Sequence, residues 1–285
     1  MKLTDLIYDG KRPFDISSFD TGATTRVNEK EKGRELLAEN VEKMASLQDR
    51  LYAEGKQGLL VIFQAMDAGG KDSTIKHVFS GINPQGIKVT SFKEPSAEEL
   101  EQGYLWRISR ALPPRGTIGV FNRSHYEEVL ISKVLNLPEN QKLPSRTLGK
   151  DLWKNRYRQL VEYEQYLHEN GYTILKFFLN ISKEEQRQRF LSRLEEPEKN
   201  WKFSLGDLDT RGHWNSYMKA FQDCINNTST RFAPWYVIPA DRKWFARYVV
   251  SEFIVKALEK MNPQYPVFEG KTEELHQARE RLENE

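Results

Sequence analysis

Apolar residues first recur at helical spacing between Lys30 and Glu54. They return every three or four positions among charged residues, at Leu36, Leu37, Val41, Met44, Leu47 and Leu51. This spacing predicts an amphipathic helix over 30–54, and Gly55 and Gly58 then end it. The preceding stretch, 1–29, is polar and broken by glycine and proline. We therefore expect it to form an arm on the domain surface.

A continuous apolar run, Leu59–Phe63, replaces the helical spacing after these glycines. Such a run between breakers is typical of a strand buried on both faces of a parallel sheet. Four more strands are predicted, at 87–92, 117–121, 172–179 and 235–239. Helical segments lie among them, near 71–80, 96–111, 124–135, 151–169, 183–195, 209–226 and 241–261. This alternation predicts an α/β fold with five parallel strands and helices on both faces, in one domain covering 1–285.

Composition narrows the class of protein. The 285 residues carry 43 Lys and Arg against 41 Asp and Glu, a net charge of +2, so no overall field draws the chain to nucleic acid or to a membrane. The single cysteine, Cys224, excludes an internal disulfide and is consistent with the cytoplasm. The N-terminal residues lack the apolar stretch of a signal peptide, and no window is long and apolar enough for a membrane span. Residues 263–285 form a charged tail.

The first strand is followed directly by a glycine-rich segment that opens a helix, 64–74. Gly69, Gly70 and Lys71 match a loop that offers backbone N–H groups and an ammonium to phosphate oxygens. The match to the P-loop pattern is incomplete, because Ala65 replaces the first glycine and Asp72 replaces the hydroxyl residue. Asp67 can replace that hydroxyl as an oxygen ligand for Mg²⁺. We expect phosphate contacts from Ala68, Gly69, Gly70, Lys71, Asp72 and Ser73.

A second polar cluster follows the third predicted strand. Asn122, Arg123 and Glu127 come at its carboxyl end, where ligands of open α/β sheets gather. Metal binding is therefore expected to be shared by Asp67, Asn122 and Glu127. Arg123 either neutralises a transferring phosphoryl group or forms a structural ion pair. His125 is assigned no role.

Seven blocks of the chain, in order, resemble the polyphosphate kinase 2 family, in particular its class III branch. They are 63–72, 92–95, 104–107, 112–116, 121–127, 200–204 and 233–241. The resemblance implies a P-loop kinase-like three-layer sandwich with a helical lid. It also implies Mg²⁺-dependent transfer of phosphate from inorganic polyphosphate to nucleotides, AMP to ADP and ADP to ATP, in a reversible reaction. Asp67, Lys71 and Arg123 fall on the family's catalytic positions.

The resemblance implies further details. Asn122, where many relatives have Asp, is similar to the class III pattern and implies use of AMP as well as ADP. Mn²⁺ as a substitute metal, guanine nucleotides as further substrates, and a homo-oligomer are also expected. The helix at 30–53 and the tail are candidate oligomer contacts, although an amphipathic stripe packs equally well on its own domain.

The basic residues of 183–209 fall in what resembles the family's lid. Gln186, Arg189 and Arg193 share one helical face, with Phe190 and Leu194 toward the core; the alternative is a solvated helix with a Glu185–Arg189 pair. Polyphosphate contacts are expected from Lys76, Arg189, Arg193, Lys199 and Lys202. Contacts to the nucleotide are expected from Lys93, Arg107, Arg115 and Arg123.

Two other functions use the same features. One is an ATP-dependent nucleotide kinase of the thymidylate kinase type, which the altered phosphate loop disfavours. The other is a non-catalytic protein that binds polyphosphate or nucleic acid, for which the low net charge is unfavourable.

Overall fold

A computed structural model describes residues 1–141, 143–267 and 272–285. Within these ranges the chain forms one six-stranded sheet, in the order β1-β6-β5-β2-β4-β3. The strands are β1 (Ile7–Tyr8), β2 (Gly58–Gln64), β3 (Ile87–Ser91), β4 (Ile118–Asn122), β5 (Tyr172–Asn180) and β6 (Trp235–Pro239). The predicted α/β fold and its five parallel strands, β2 to β6, are confirmed.

The sixth strand comes from the N-terminal arm. β1 pairs antiparallel with the edge of β6, Ile7 opposite Tyr236. Leu6, Tyr8 and Phe14 are buried, and the Phe14 backbone exchanges two hydrogen bonds with Asn226. The expectation of an arm lying on the surface is thus wrong for this part, because its apolar residues complete the core at the sheet edge.

The helices include two long ones that were predicted with nearly correct bounds, α1 and α10. In chain order the helices are α1 (Lys30–Glu54), α2 (Lys71–Val78), α3 (Ala97–Leu100), α4 (Trp106–Ala111), α5 (Ile131–Val134), α6 (Leu152–Glu169), α7 (Lys183–Glu195), α8 (Gly206–Gly212), α9 (Trp214–Thr228), α10 (Lys243–Met261) and α11 (Thr272–Glu283). Three predicted helices are interrupted. The segment 96–111 forms α3 and α4, 124–135 forms a 3-10 turn (His125–Val129) and α5, and 209–226 lies across α8 and α9.

Helices cover both faces of the sheet. Phe177 packs on Phe253 of α10, whereas the next residue, Phe178, stacks on Phe221 of α9, with ring centroids 4.1 Å apart. Neighbouring residues of a strand point to opposite faces, so α10 and α9 lie on opposite sides. α1 packs on α10 at Gly33, where a Cβ atom would lie 2.4 Å from Trp244 Cε3. The two helices therefore approach closely only because residue 33 is glycine.

A buried ammonium lies within the core. The Nζ atom of Lys176 on β5 donates to Glu164 Oε2 at 2.7 Å, to the Tyr126 hydroxyl at 3.0 Å and to the Thr228 carbonyl at 2.8 Å. All three of its donors are therefore used. Burial alone raises the pKa of Glu164, but the Lys176 ammonium and His125 outweigh burial and hold this pKa below its ordinary value. Because Tyr126 belongs to the 3-10 turn after β4, the network also anchors that turn.

No helix in the described residues is both long enough and apolar enough to cross a membrane.

Candidate active site

The loop between β2 and α2 has a backbone suited to surrounding an anion. Ala68 and Gly70 adopt left-handed φ angles of 58° and 99°. A Cβ atom on Gly69 would lie 2.6 Å from the Ala65 Cβ atom, so only glycine fits there. Non-glycine residues with such φ angles cluster at functional sites. The strained loop ends at the N-terminus of α2, and the Ser73 hydroxyl donates to the Gly70 carbonyl at 3.2 Å.

Lys71 begins α2 and turns its ammonium back under the loop. Its Nζ atom donates to the Ala65 carbonyl at 2.8 Å and to the Met66 carbonyl at 3.4 Å, and the residue is only 7% exposed. Burial, followed by repulsion from Arg123, lowers the pKa of Lys71. A third donor remains available for an anion held by the loop.

Arg123, at the end of β4, is held against the same loop. Its own φ is left-handed, 64°, and its backbone N–H donates to the Phe63 carbonyl at 3.0 Å. Its guanidinium donates to Asp67 Oδ1 at 2.9 Å. Burial opposes the charge, yet Glu127 and Asp67 outweigh burial and raise the pKa of Arg123. The side chain is 39% exposed, so the cation also faces solvent.

Acidic and amide groups complete this edge of the sheet. Asn122 Nδ2 donates to Asp72 Oδ1 at 2.8 Å. Burial raises the pKa of the half-buried Glu127, although Arg123 and Lys71 act in the opposite direction. Burial and the carboxylates of Glu127 and Asp67 raise the pKa of Tyr217 to about 12. Asp67, Lys71, Arg123 and Glu127 thus form one electrostatically coupled group.

Helix α7, which begins the segment expected to form the lid, contacts the phosphate loop through two side chains. Gln186 Nε2 donates to the Asp67 carbonyl at 2.9 Å, and Arg189 donates to the Ala68 carbonyl at 3.0 Å. Arg189 also donates to the Ala240 carbonyl after β6 at 2.6 Å. Its Nε atom pairs with Glu185 at 2.7 Å, the helical pair that was the alternative interpretation. A single guanidinium therefore joins the loop, the lid and the segment after β6.

The other three basic residues expected to bind polyphosphate in this segment, Arg193, Lys199 and Lys202, contact neighbours within 183–209. Arg193 donates to the Lys202 carbonyl at 3.0 Å and pairs with Asp207; Lys199 pairs with Glu196. Lys202 lies over the Trp201 ring. Phe190 is buried against Phe203, whereas Leu194, which was also expected to face the core, is 51% exposed. Lys76, on α2, is also exposed.

The residues expected to hold the nucleotide do not all lie together. The Arg107 guanidinium donates to the Lys93 carbonyl at 2.9 Å and to Glu99 at 3.3 Å, beside the carboxyl end of β3. Arg107 lines a cavity of about 250 Å³, whose wall includes Tyr104, Glu128 and Arg156. The exposed Lys93 lies next to this cavity through its carbonyl contact.

Arg115 is elsewhere. It precedes β4 and donates to the Asn170 carbonyl, just before β5, at 3.0 Å. Since β4 and β5 are both parallel to β2, their first residues lie at the amino edge of the sheet, opposite the phosphate loop. The expectation that Arg115 contacts the nucleotide is corrected accordingly.

Sequence reasoning did not assign three residues that the structure brings to the site. Gln186 was placed on the correct helical face but given no partner. Asp207 lies close enough to Asp67 that, after burial, repulsion between the two raises the pKa of Asp207. Asp241 accepts from the Ser182 N–H at 2.7 Å and so fixes the start of the lid helix. Its only sequence signal was its position in the matching block 233–241.

The oxygen atoms at this edge of the sheet suit a divalent cation that takes some of its ligands from the protein and the rest from a substrate. No three His, Cys, Asp or Glu side chains converge into a complete metal site anywhere in 1–141, 143–267 or 272–285. Mg²⁺, however, is ordinarily bound by one or two carboxylates together with substrate phosphates and water. Asp67 and Glu127, both coupled electrostatically to Lys71, satisfy that requirement.

The parallel sheet, the strained phosphate loop and the arginine at the end of the neighbouring strand define a P-loop kinase-like phosphotransferase. Comparison with known proteins gives the family. The model for "Polyphosphate kinase 2 (PPK2)" matches residues 27–266, and the chain belongs to this family.

Relatives extend over nearly the whole chain. It is 49% identical to an ADP-polyphosphate phosphotransferase of Rhodopseudomonas palustris, over 94% of each chain. It is 46% identical to an AMP/ADP-polyphosphate phosphotransferase of Meiothermus ruber, over 92% of each. The crystal structure of Polyphosphate Kinase 2 from Arthrobacter aurescens TC1 superimposes with a TM-score of 0.85 at 38% identity, covering 94% of this chain and 92% of that one.

Proposed function

We propose that this enzyme transfers the terminal phosphate of inorganic polyphosphate to AMP and to ADP, with Asp67, Lys71 and Arg123 as its catalytic residues. The observation that carries the proposal is the position of two cations on either side of one loop. Lys71 lies beneath the loop, and Arg123 bonds to its aspartate at 2.9 Å. The names of the relatives support polyphosphate as the donor.

The donor end of polyphosphate lies in the phosphate loop. The N–H groups of Ala68, Gly70, Asp72 and Ser73 and the positive end of the α2 dipole face its oxygens, whereas the Gly69 N–H donates to the Met66 carbonyl at 3.0 Å and shapes the loop instead. Arg189 adds a cation at the side of Ala68, where its guanidinium already bonds to the loop. Arg193, Lys199 and Lys202 reach phosphate only when their present bonds within the lid are exchanged, so lid closure is part of this proposal. The exposed Lys76, in the last turn of α2, adds positive charge further from the loop.

The acceptor lies on the other side of the reacting phosphorus, toward β4 and β3. Arg107 and Lys93 hold its phosphate, and Arg123 lies between acceptor and donor. The cavity lined by Tyr104 and Arg107 provides room for the nucleoside. Arg115 takes no part, because it lies at the opposite edge of the sheet.

The reaction is an in-line displacement. An anionic oxygen of the acceptor's terminal phosphate bonds to the end phosphorus of polyphosphate, and the P–O bond to the next phosphate breaks. The products are the nucleotide with one more phosphate and a chain with one fewer. Lys71 and Arg123 stabilise charge on the transferring group, and no general base is needed since the attacking oxygen is already ionised.

Asp67 would hold a bound Mg²⁺ or Mn²⁺, with further oxygen ligands from Asn122 and from Glu127, whose carboxyl group interacts electrostatically with Asp67. When bound, the ion supplies additional neutralisation of the phosphate charge. Arg123 then keeps the Asp67 carboxylate oriented through their hydrogen bond.

Acceptor range is the finer part of the proposal. The Asn122 side-chain amide donates to the Asp72 carboxylate, whereas an aspartate at position 122 would repel that carboxylate. We infer that the enzyme uses AMP as well as ADP, because Asn122 matches the class III pattern and one relative is named an AMP/ADP-polyphosphate phosphotransferase. Guanine nucleotides as further substrates, a homo-oligomer and a cytoplasmic location stay predictions.

An exchange of donors tests the proposed function. Initial rates of ADP formation from AMP are measured with polyphosphate and, separately, with ATP at equal total phosphate. ADP formation with polyphosphate but not with ATP supports the proposal. Turnover only with ATP supports an ordinary nucleotide kinase, and salt-dependent polyphosphate binding with no product from either donor supports a binding protein.

A further inference from the structure

The N-terminal arm bonds to the segment that follows β6. The Thr21 hydroxyl donates to Asp241 Oδ2 at 2.7 Å, and the Asp241 N–H donates to the Thr21 carbonyl at 3.2 Å. The two residues are thus joined through side chain and backbone across 220 positions of the chain. The arm is itself anchored, because β1 pairs with β6 and the Ile16 N–H donates to Gln222 of α9 at 2.9 Å. Thr21 therefore meets Asp241 from a fixed support.

The other oxygen of the Asp241 carboxylate holds the start of α7. Oδ1 accepts from the Ser182 N–H at 2.7 Å. Ser182 caps this helix, since its hydroxyl accepts from the Glu185 N–H at 3.0 Å. A carboxylate at this end of a helix is also favoured by the helix dipole. Both oxygens of Asp241 are therefore used, one by the arm and one by α7.

Helix α7 determines where two side chains meet the phosphate loop. Gln186 and Arg189 lie one turn apart on one face, and both are buried. They donate to the carbonyls of Asp67 and Ala68 at 2.9 and 3.0 Å. Arg189 also donates to the Asp241 carbonyl at 3.2 Å. Asp241 thus holds α7 both at its first turn and, through Arg189, two turns later.

The loop carbonyls that α7 holds belong to residues whose placement matters for the reaction. Ala68 has a left-handed φ of 58°, a strained conformation that persists only where the surrounding structure enforces it. Asp67 carries the carboxylate that pairs with Arg123. A misplacement of about 1 Å in such groups lowers a rate by about 10²-fold. The contacts that run from Thr21 through Asp241 and α7 therefore connect the arm with the strained part of the loop.

We propose that Thr21 and Asp241 are positioning residues for phosphoryl transfer, which hold α7, and with it Gln186 and Arg189, against the phosphate loop. This inference rests on the proposed function. Thr21 contacts no substrate and acts through the Asp241 carboxylate. The acceptor nucleotide lies on the other side of the reacting phosphorus, toward β4 and β3. The arm therefore affects kcat and KM for polyphosphate, and it leaves KM for the nucleotide unchanged.

The variant Thr21→Val tests this role, because it removes the hydroxyl and nearly keeps the shape of the side chain. We expect kcat/KM for polyphosphate to fall about tenfold, with KM for ADP within about twofold of the unaltered enzyme. The loss is less than that of a fully misplaced loop, since Arg189 keeps its bond to the Ala240 carbonyl. Thr21→Ser retains the hydroxyl and should restore most of the rate.

A matched control comes from the same arm. The Thr25 hydroxyl accepts from the Val27 N–H at 3.3 Å, within the arm itself. Thr25→Val therefore makes the same chemical change without touching the contact to Asp241, and we expect it to be fully active. Thermal unfolding verifies that every variant is folded.

A double-mutant cycle separates positioning from a general loss of stability. Asp241→Ala should lower kcat/KM for polyphosphate more than Thr21→Val does, because it also frees the Ser182 N–H. In the Asp241→Ala background, Thr21→Val should add no further loss, since its partner is already absent. Additive losses, or a KM for ADP that rises as much as kcat/KM for polyphosphate falls, would overturn the positioning role while the proposed function stands.

Amide hydrogen exchange without substrate completes the test, because it does not depend on turnover. Exchange at 182–189 and at 67–70 should be faster in Thr21→Val and Asp241→Ala, and unchanged in Thr25→Val. Unchanged exchange in both Thr21→Val and Asp241→Ala would also overturn the positioning role. An unaltered enzyme that forms no product with either donor overturns the proposed function and this inference together.

Discussion

The Arg123 guanidinium donates to Asp67 Oδ1 at 2.9 Å across 56 positions of the chain. The bond joins the end of β4 to the phosphate loop after β2, two strands that are adjacent in the sheet. It holds a cation and a carboxylate together beside the phosphate loop, where we propose that the phosphoryl group is transferred. The left-handed φ angles of Arg123 and Ala68 show that the backbone is strained on both sides of this contact.

Asp67→Asn should lower kcat by at least about 10²-fold, the scale of losing one electrostatic stabiliser. The amide still accepts from Arg123, so the variant should fold normally. Steady-state rates with polyphosphate and ADP measure the effect. The control Asp9→Asn removes a half-buried carboxylate of the N-terminal arm that pairs with Lys11, and we expect it to be fully active. Near-normal turnover of Asp67→Asn would contradict the role given to Asp67.

Lys71→Met should also lower kcat by at least about 10²-fold, because it keeps the length of the side chain and removes the charge beneath the loop. KM for the acceptor should change little, since Lys71 lies on the donor side. Lys88→Met, at an exposed position of β3, is the matched control and should keep the normal rate. A Lys71→Met enzyme with only a raised KM would indicate that the ammonium binds substrate without stabilising the transition state.

Arg107→Ala and Arg115→Ala should have different effects on KM for the nucleotide. Arg107 lines the cavity proposed for the acceptor, and its loss should raise KM for AMP and ADP about tenfold, the scale of one charge-assisted contact. Arg115 bonds to Asn170 at the far edge of the sheet, so Arg115→Ala should leave KM unchanged. Initial rates over a range of nucleotide concentrations measure both. A raised KM in Arg115→Ala would mean that the acceptor lies elsewhere.

Glu127→Gln should gain stability and lose activity. Burial raises the pKa of Glu127 in the folded state above its ordinary value of 4.5. A raised carboxyl pKa means that the folded protein binds more protons, so stability falls as pH rises from 4.5 through the folded pKa. The gain in Glu127→Gln should therefore be absent below about pH 4.5 and fully present above the folded pKa.

Chemical unfolding of the unaltered protein and of Glu127→Gln, at pH 4 and at neutral pH, tests this dependence. The variant Glu184→Gln, at an exposed position of α7, is the control against which the stability change of Glu127→Gln is compared at both pH values. A Glu127→Gln variant that is destabilised at neutral pH would show that attraction to Arg123 and Lys71 exceeds the cost of burial.

Lys176→Met should destabilise the fold by about 3–5 kcal/mol, because it leaves the buried Glu164 carboxylate without its partner. The double variant Lys176→Met/Glu164→Leu should recover part of that loss, since no unpaired charge remains. Free energies of unfolding in denaturant measure both, with the exposed Lys219→Met as control. Additive losses in the double variant would contradict a coupled pair.

Much of this fold follows from local pattern. The apolar run Leu59–Phe63 and the Gly-Gly-Lys sequence after it predict both β2 and the loop, because burial on both faces and a tight turn each demand particular residue types. Arg115 could also have been placed correctly. It precedes a parallel strand, and the direction of the chain alone puts it at the amino edge.

Other features depend on contacts between distant parts of the chain. Arg189 meets the Ala68 carbonyl 121 positions away, and nothing in the lid sequence distinguishes it from Arg193. β1 has only two residues, too few for a periodicity, and exists because β6 offers a free edge. Lys176 interrupts an apolar strand, and only the packing of α6 shows that Glu164 neutralises it.

The most direct measurement of the central claim is phosphorus NMR of the purified enzyme with Mg²⁺ and polyphosphate, with AMP and ADP in separate tubes. We predict ADP and then ATP from the first tube and ATP from the second. In both tubes the signal of the internal phosphates should decrease as the polyphosphate chain shortens. The Asp67→Asn variant should give neither product at a comparable rate. ATP from ADP alone would keep the polyphosphate kinase and overturn the inference from Asn122. No product in either tube would contradict the account as a whole.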